Sequence, residues 1–420
     1  MAKGLEGFDE YEDVVSKCRD SDDGSTYIFT PKHRLSTKNN PLCGITVCGW
    51  FSILRLRWRQ IEWLRFWPRL LVITVLSVVN SMLGFIERIL YGNAIQSTVI
   101  NDSPVFILGH PRTGTTLLHG LLALDDDEFI YCSTFCAGFP SSFLWFERFG
   151  KRCFAGVIDE TRPMDNVKLD FDLPQEDELA VNVMSGGMSP YMPLFFMRQE
   201  LEYRPYFTFE EAGESANVAA ALRHWKKSFM YLLKKLTLRS NLGQSHDASA
   251  AKRLVLKSPV HTARIPLILS LFPKAQFVYI HRNPYDVFRS AAHMADTTYW
   301  FTYLNTPSNE MIQEFILKQY EILWTSYESA RLSLPPEQLI EVSYDDLSAN
   351  PTETVGRIYK HFGWPGWHEK IKGVIEREAK PVLGYQRNVH KPLSSGLRWV
   401  VDERWRDSFV RLGYKMGNGD

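Results

Sequence analysis

At 420 residues, with 45% hydrophobic and 13% aromatic side chains, the chain can bury a large core and is not a disordered protein. Its 48 basic and 48 acidic side chains balance to zero formal charge, and Lys and Arg form no blocks across the central region, which argues against a nucleic acid partner. Six cysteines, at 18, 43, 48, 132, 136 and 153, make neither a paired zinc-ligand spacing nor a disulfide framework, and no metal site is expected.

The first hundred residues differ from the rest. Residues 1–23 carry eight acidic and three basic side chains and read as an acidic tail. From 24 to 69 eight Lys or Arg stand against the single Glu62, and Trp50, Trp58, Trp63 and Trp67 are interleaved with Arg55, Arg57, Arg59, Arg65 and Arg69. Leu70 to Ile86 is then uncharged for seventeen residues, at the lower edge of the roughly 17–25 that a membrane span needs. Spanning a bilayer, lying in its plane and packing wholly within protein all remain open for this segment. Thr74, Ser77, Ser81, Gly84 and Arg88 recur at steps of three, four, three and four. Such a small or polar stripe can pack on a protein body while the opposite face meets lipid. Membrane contact is therefore expected through 50–91. The first twenty residues are acidic rather than basic-then-apolar, so no cleavable signal peptide is expected. The expected location is membrane-associated or cytoplasmic, with a secretory membrane as the alternative.

Beyond residue 100 strands and helices alternate. Val105–Leu108, 253–257, 275–281 and 338–344 read as strands. Helices are predicted at Thr115–Leu124, 210–240, Ile265–Leu271, from Pro284 onward, at 309–332, and twice between 351 and 380. This order implies βαβ crossovers and a mostly parallel sheet. The expected fold is α/β: a single P-loop-like domain over 101–420 with a central sheet flanked by helices. Ahead of it come the tail and Trp-rich segment (1–69) and a hydrophobic helix (70–100), together a helical extension.

Residues 106–119, "FILGHPRTGTTLLH", run from an apolar strand through a glycine-bearing loop into a helix, the outline of a phosphate-binding loop G-x-x-x-x-G-K-[ST]. Gly109, Gly114 and Thr116 occupy the glycine and hydroxyl positions, but Thr115 stands where the lysine belongs. Backbone N–H groups of 112–116 would face an anion at the helix start, Thr113, Thr115 and Thr116 add hydroxyls, and Arg112 offers a permanent cation. The strand "FVYI" ends in His281 and Arg282, where a nucleoside triphosphatase would place a metal-holding acid. Arg282 falls at the carboxyl edge of the sheet, where such folds bind ligands. Ser290, seven residues after the helix-capping Asn283, shares its face, so Arg282 and Ser290 can hold a second phosphate. Two phosphate sites without a metal site suggest a ligand phosphorylated at two places.

"PRTGTT", "RNPYDVFRS" and "VSYDDLSANP", in this order, resemble the nucleotide-binding signatures of the sulfotransferases, which use 3′-phosphoadenosine 5′-phosphosulfate (PAPS). "QEDELA" (175–180) and "LKSPVH" (256–261) are similar to the branch that carries arginine in the 5′ loop, and the resemblance covers roughly 104–363. It implies that Arg112, Thr113, Gly114, Thr115 and Thr116 bind the 5′-phosphosulfate, that Arg282 and Ser290 bind the 3′-phosphate, and that Tyr344 lies near the adenine. It also implies that the C-terminal segment 386–399 folds over the nucleotide, with Arg387 and Lys391 in reach of the 3′-phosphate.

Sulfuryl transfer needs cations on the sulfonate and a base for the acceptor's proton. Arg112 and Lys257, which ends the strand "RLVLK", are the candidate cations. His261 is the preferred base, and Glu176 is its rival. In cytosolic sulfotransferases the histidine follows this lysine by two residues and here by four, while Glu176, Asp177 and Glu178 also read as a solvated first helical turn. His110 and His119 flank the loop and are expected to pack. Phe135, Phe139, Phe143, Trp145, Phe146 and "MSPYMPLFFM" (188–197) suit an apolar lid over a small hydrophobic, sterol or lipid-like alcohol. A carbohydrate acceptor, or less readily kinase or NTPase chemistry, is the alternative.

Overall fold

A computed structural model describes residues 24–32, 40–154, 170–242, 252–367, 369–383 and 392–417. The acidic tail, Arg387 and Lys391 lie outside the described residues. Helices of eight residues or more are numbered: α1 Val47–Arg57, α2 Trp63–Ser97, α3 Thr115–Leu122, α4 Phe143–Phe154, α5 Asp177–Met184, α6 Ala216–Leu242, α7 Pro284–Thr298, α8 Asn309–Arg331, α9 Pro351–Phe362, α10 Glu369–Leu383 and α11 Ser395–Leu412. The strands are β1 Val105–Leu108, β2 Phe129–Ile130, β3 Arg253–Lys257, β4 Gln276–His281 and β5 Leu339–Ser343.

All five strands are parallel, in the order β2-β3-β1-β4-β5. β1 and the middles of β3 and β4 are apolar and buried on both faces, as a sheet covered on both sides requires, while edge strand β5 is half-buried and carries Glu341. Val105, Ile107, Val255, Val278 and Ile280 face Leu118 and Leu121 of α3 and Val355 and Ile358 of α9. Phe106, Leu108, Leu256 and Phe277 face the layer that holds Trp225 and Phe229 of α6, Phe288 of α7, Tyr320 of α8 and Trp405 of α11. Because the strands run together, Leu108, Lys257, His281 and Ser343 end at one edge, and the connections leave central β1 toward both sides. The predicted strands match to within a residue or two. β2 escaped prediction because two residues carry no alternation, and the helix expected at 210–240 starts at Ala216 after a short 3₁₀ turn at Glu210–Gly213.

The N-terminal segment is built into this body. Trp50, Ile53, Phe66, Leu70 and Ile73 form a core with Val183, Met192, Phe195, Phe196 and Leu304, and burying each such side chain contributes about 1.5–3 kcal/mol. Of the predicted small and polar stripe of α2, Ser77 is buried and the others border the protein body: Trp50 Nε1 donates to Thr74 Oγ1 (2.9 Å), Val47 N–H donates to Ser81 Oγ (2.8 Å), and half-buried Gly84 abuts Ser141. Arg88 at its end is exposed. Asn80 Nδ2 donates to the carbonyls of Cys43 (2.6 Å) and Ile45 (3.1 Å), which satisfies its buried amide.

Deeper along the same face, the Glu87 carboxylate of α2 pairs with Lys235 of α6, both side chains at most 2% exposed. Glu87 Oε2 also accepts from Leu144 N–H at 2.8 Å, and Lys235 Nζ donates to Pro140 O at 2.5 Å. Removing one partner strands the other charge, so Glu87→Ala is expected to cost about 3–5 kcal/mol. Glu87→Leu combined with Lys235→Met should recover most of that loss. Urea titrations of the three proteins check it, and a double variant no more stable than the single one would contradict this account.

Candidate active site

The loop after β1 needs backbone shapes that few residues supply. Gly109 has φ 140° and Gly114 φ 98°, and Arg112 adopts φ 77° without a glycine. A Cβ on Gly114 would stand 2.4 Å from the Tyr344 ring, and one on Gly109 would stand 2.5 Å from Ile280 O. Thr113 is buried; its hydroxyl and N–H both bond His110 O, at 2.8 and 3.2 Å, and brace the turn. Thr262 Oγ1 accepts from Gly109 N–H at 2.8 Å and ties the loop to the segment after β3. Thr115 and Thr116 open α3, whose first N–H groups have no partner within the helix. His110 packs on Tyr320 and Trp405, and burial holds it and His119 down to about 3, so both are neutral packing groups as expected.

The two phosphate sites expected as separate are neighbours. Arg112 Nε donates to Ser290 Oγ at 2.9 Å, and Arg282 Nη1 donates to Arg112 O at 3.4 Å. The Arg282 guanidinium lies 4.5 Å from the centre of the Tyr344 ring, which also supports Gly114. Arg112, Arg282, Ser290 and Tyr344 thus form one cationic cluster beside the loop.

The acidic triplet is not a solvated turn. Glu176 is the N-cap residue of α5, and its three carboxylates leave the helix start in three directions. Glu176 Oε1 accepts from Lys257 Nζ at 2.8 Å and Oε2 from Tyr191 Oη at 2.5 Å, while Lys257 also reaches Thr116 Oγ1 at 3.4 Å. Burial, then the Glu176 carboxylate, pushes the Tyr191 phenol far above its ordinary value, so it remains a donor. Asp177 Oδ2 meets His261 Nε2 at 2.7 Å, and Asp177 Oδ1 accepts from Ser258 at 3.1 Å. Glu178 accepts from Arg264 (2.8 Å), Trp225 (3.0 Å) and Ser189 (2.6 Å). Asp177, Glu178, His261 and Arg264 are all fully buried.

Beside this edge lies a cavity of about 480 Å³. Arg112, Thr115, Thr116, Glu176 and Tyr191 line it, with Val72, Leu76, Phe139, Phe154, Phe171, Leu179 and Leu194 among its apolar walls. Lys257 stands one bond behind Glu176. His261 does not line it: its ring is closed in by Phe106 and Phe229. Of the expected lid, Phe139 reaches the cavity, whereas Phe135, Phe143 and Phe146 are core because each packs among other aromatic rings or beneath α6. Tyr191 was legible only as one aromatic of "MSPYMPLFFM"; nothing local in the sequence marks it as a partner of Glu176.

A family model described as the sulfotransferase family matches residues 104–369. The omega-hydroxy-beta-dihydromenaquinone-9 sulfotransferase Stf3 of Mycobacterium bovis is 32% identical over 348 residues, 83% of this chain and 84% of its own, and that of Mycobacterium tuberculosis matches equally. Among solved structures, sulfotransferase STF9 from Mycobacterium avium is similar with a TM-score of 0.60 at 15% identity, covering 89% of this chain and 93% of its own. STF1 from Mycobacterium tuberculosis has a TM-score of 0.55 at 18% identity, with 86% and 91% covered. The chain belongs to the sulfotransferase family. It is a PAPS-dependent sulfotransferase.

Burial alone would raise the Asp177 carboxyl, but the His261 charge and the hydrogen bonds from His261 and Ser258 outweigh it and hold it below its usual range. A carboxyl depressed on folding contributes stability that is complete above its unfolded value, near pH ~4, and is lost as pH falls through the folded value. Asp177→Asn is therefore expected to cost about 1–3 kcal/mol at neutral pH, the loss of buried hydrogen bonds to the carboxylate, with the gap to the unmodified protein narrowing in acid. Guanidinium titrations at neutral and acid pH check this; a gap that widens in acid would contradict it.

Proposed function

We propose that the chain sulfates the hydroxyl of a long apolar lipid of menaquinone-like type, with Glu176 as the base. The observation that carries this reading is the cavity, where a carboxylate held by Lys257 and Tyr191 meets the loop residues Arg112 and Thr116 between aromatic and aliphatic walls. Its size of about 480 Å³ suits the end of one small or lipid-like molecule. The relative at 32% identity carries a menaquinone-derived acceptor in its name, which supports the same class here.

The residues present fit PAPS, because the loop is a cradle that a Cβ at Gly109 or Gly114 would fill, flanked by two arginines. When bound, PAPS supplies the sulfuryl group and leaves as adenosine 3′,5′-bisphosphate. Arg112 and the N–H groups of Gly114, Thr115 and Thr116 would hold the phosphosulfate, while Thr113, expected to join them, has its N–H and hydroxyl on His110 O and braces the loop. Arg282 and Ser290 would hold the 3′-phosphate, with Tyr344 fixing Arg282 by its ring.

The chain's own groups divide the work. Lys257 and Tyr191 each hold one oxygen of Glu176, so the carboxylate is aimed without losing all of its roughly four lone-pair sites. It takes the proton from the acceptor hydroxyl. The Lys257 ammonium, between Glu176 and Thr116, offers its charge to the side of the cleft where the loop lies. His261 is a positioning residue: through Asp177 it fixes the first turn of α5 and with it Glu176.

Glu176→Gln is expected to lower kcat about 10²–10⁴-fold while leaving the affinity for adenosine 3′,5′-bisphosphate unchanged. His261→Asn should act instead through stability and KM. Steady-state kinetics with labelled PAPS, paired with calorimetric titration of the bisphosphate, separate the two roles. A Glu176→Gln enzyme with undiminished kcat, beside a folded but inactive His261→Asn enzyme, would reverse the assignment. For the acceptor, mass spectrometry of products from prenyl alcohols, hydroxylated quinones, sterols and oligosaccharides should show sulfate on the long prenyl alcohols or quinones. Preferential sulfation of oligosaccharides would overturn the lipid reading.

A further inference from the structure

Helix α2 keeps apolar residues on the outside and several polar ones inside. Beside Phe66, Leu70, Ile73 and Ile95, its buried side carries Arg69, Ser77, Asn80 and Glu87, each engaged by protein. Its outer side presents Trp67, Leu71, Val75, Val78, Met82 and Phe85, between 43% and 64% exposed, at steps of four, four, three, four and three. A helix facing water shows the opposite pattern, with polar groups outward. The helix is 35 residues long, about 52 Å, and lies sideways against α1, α4 and α6 rather than standing free of them.

The charge on this surface has one sign. Between residues 47 and 97 the acids are Glu62 and Glu87; Arg65 and Arg198 engage the first, and the second is buried against Lys235. Arg55, Arg59, Arg65 and Arg88 are exposed, and Trp58 and Trp63 stand beside them at 54% and 46% exposure. Tryptophan and arginine bordering an apolar stripe match the boundary between acyl chains and anionic headgroups. A second copy fits poorly, since a twofold contact of this face with itself would set arginines against arginines.

The stripe is continuous with the cavity. Val72 and Leu76, one residue on from exposed Leu71 and Val75, line the cavity together with Pro41 and Cys43. We propose that the α1–α2 hairpin lies half-immersed in the plane of an anionic phospholipid bilayer, and that the acceptor enters the cavity from the bilayer past Val72 and Leu76. The entry route rests on the lipid-acceptor reading; the membrane contact stands on the helix alone. Only the hydroxyl-bearing end need enter a cavity of about 480 Å³, while the rest of the lipid stays among its neighbours.

The test is sedimentation of the full chain with vesicles of phosphatidylcholine alone or mixed equally with phosphatidylglycerol. The expected result is co-sedimentation with the mixed vesicles, weakened by salt. Leu71→Glu/Val75→Glu/Phe85→Glu should lower the partition by at least about tenfold, and Arg55→Glu/Arg59→Glu should abolish the preference for phosphatidylglycerol. Both variants should keep the melting temperature and the affinity for adenosine 3′,5′-bisphosphate. Protein that stays in solution with both vesicles, or a triple-Glu variant that sediments like the original, would overturn the proposal. So would a dimer in light scattering that the triple variant dissociates, which would put a second copy on this face. Sulfation of a short, water-soluble prenyl alcohol should be equal in the original and the triple variant. Failure of both proteins there counts against the acceptor reading, while vesicle binding still judges the membrane contact.

Discussion

Lys257 at the end of β3 holds Glu176 Oε1 at 2.8 Å and also touches Thr116 at 3.4 Å. The cleft is arranged around that pair of contacts. A parallel sheet brings the ends of β1 and β3 side by side, with Ile107 in register with Lys257, so a lysine closing β3 stands beside the loop that follows β1 by topology. The sheet does not provide the carboxylate. That comes from α5, whose start is fixed by Asp177 on His261 and Ser258 and by Glu178 on Arg264, Trp225 and Ser189. Two buried acids anchor the turn so that the acid beside them can face the cavity.

This division explains why part of the site was legible in the sequence. The glycines of the loop, Arg112, Arg282, Ser290 and Lys257 all sit at strand ends or on the helix that follows, where apolar periodicity locates them within a residue or two. The proposed base was not legible that way. His261 and Glu176 belong to segments far apart in the chain, and spacing says nothing about which of them turns toward the cavity. Their burial differs sharply: His261 is fully enclosed, whereas the Glu176 side chain is 24% exposed. "EDE" (176–178) also reads as an ordinary helix-start acid cluster, because favourable charge near a helix N-terminus and three specific tertiary contacts leave the same local pattern.

The N-terminal segment shows the opposite limit. Its charge reversal, its tryptophans and its seventeen uncharged residues are plain in the sequence, and so is the stripe of Thr74, Ser77, Ser81 and Gly84. Composition cannot say which side of that helix the protein occupies. Burial of Asn80 and Glu87, both costly in an apolar setting without partners, decides it: the catalytic body supplies the Cys43 and Ile45 carbonyls and Lys235. A second set of apolar residues, Leu71, Val75 and Phe85 among them, is left facing outward.

The cavity joins these two halves of the molecule. Its wall is shared between the loop and α5, which carry the charges, and α2, which carries the outward apolar face. A water-soluble acceptor would need neither Val72 nor Leu76 from a helix whose other surface is apolar. An acceptor drawn from a bilayer needs both, because its chain must remain in an apolar environment while its hydroxyl reaches Glu176. On this reading the extension is part of the acceptor site. Burying polar groups against the body at Asn80 and Glu87 is what lets the same helix turn a hydrocarbon-like face to the outside.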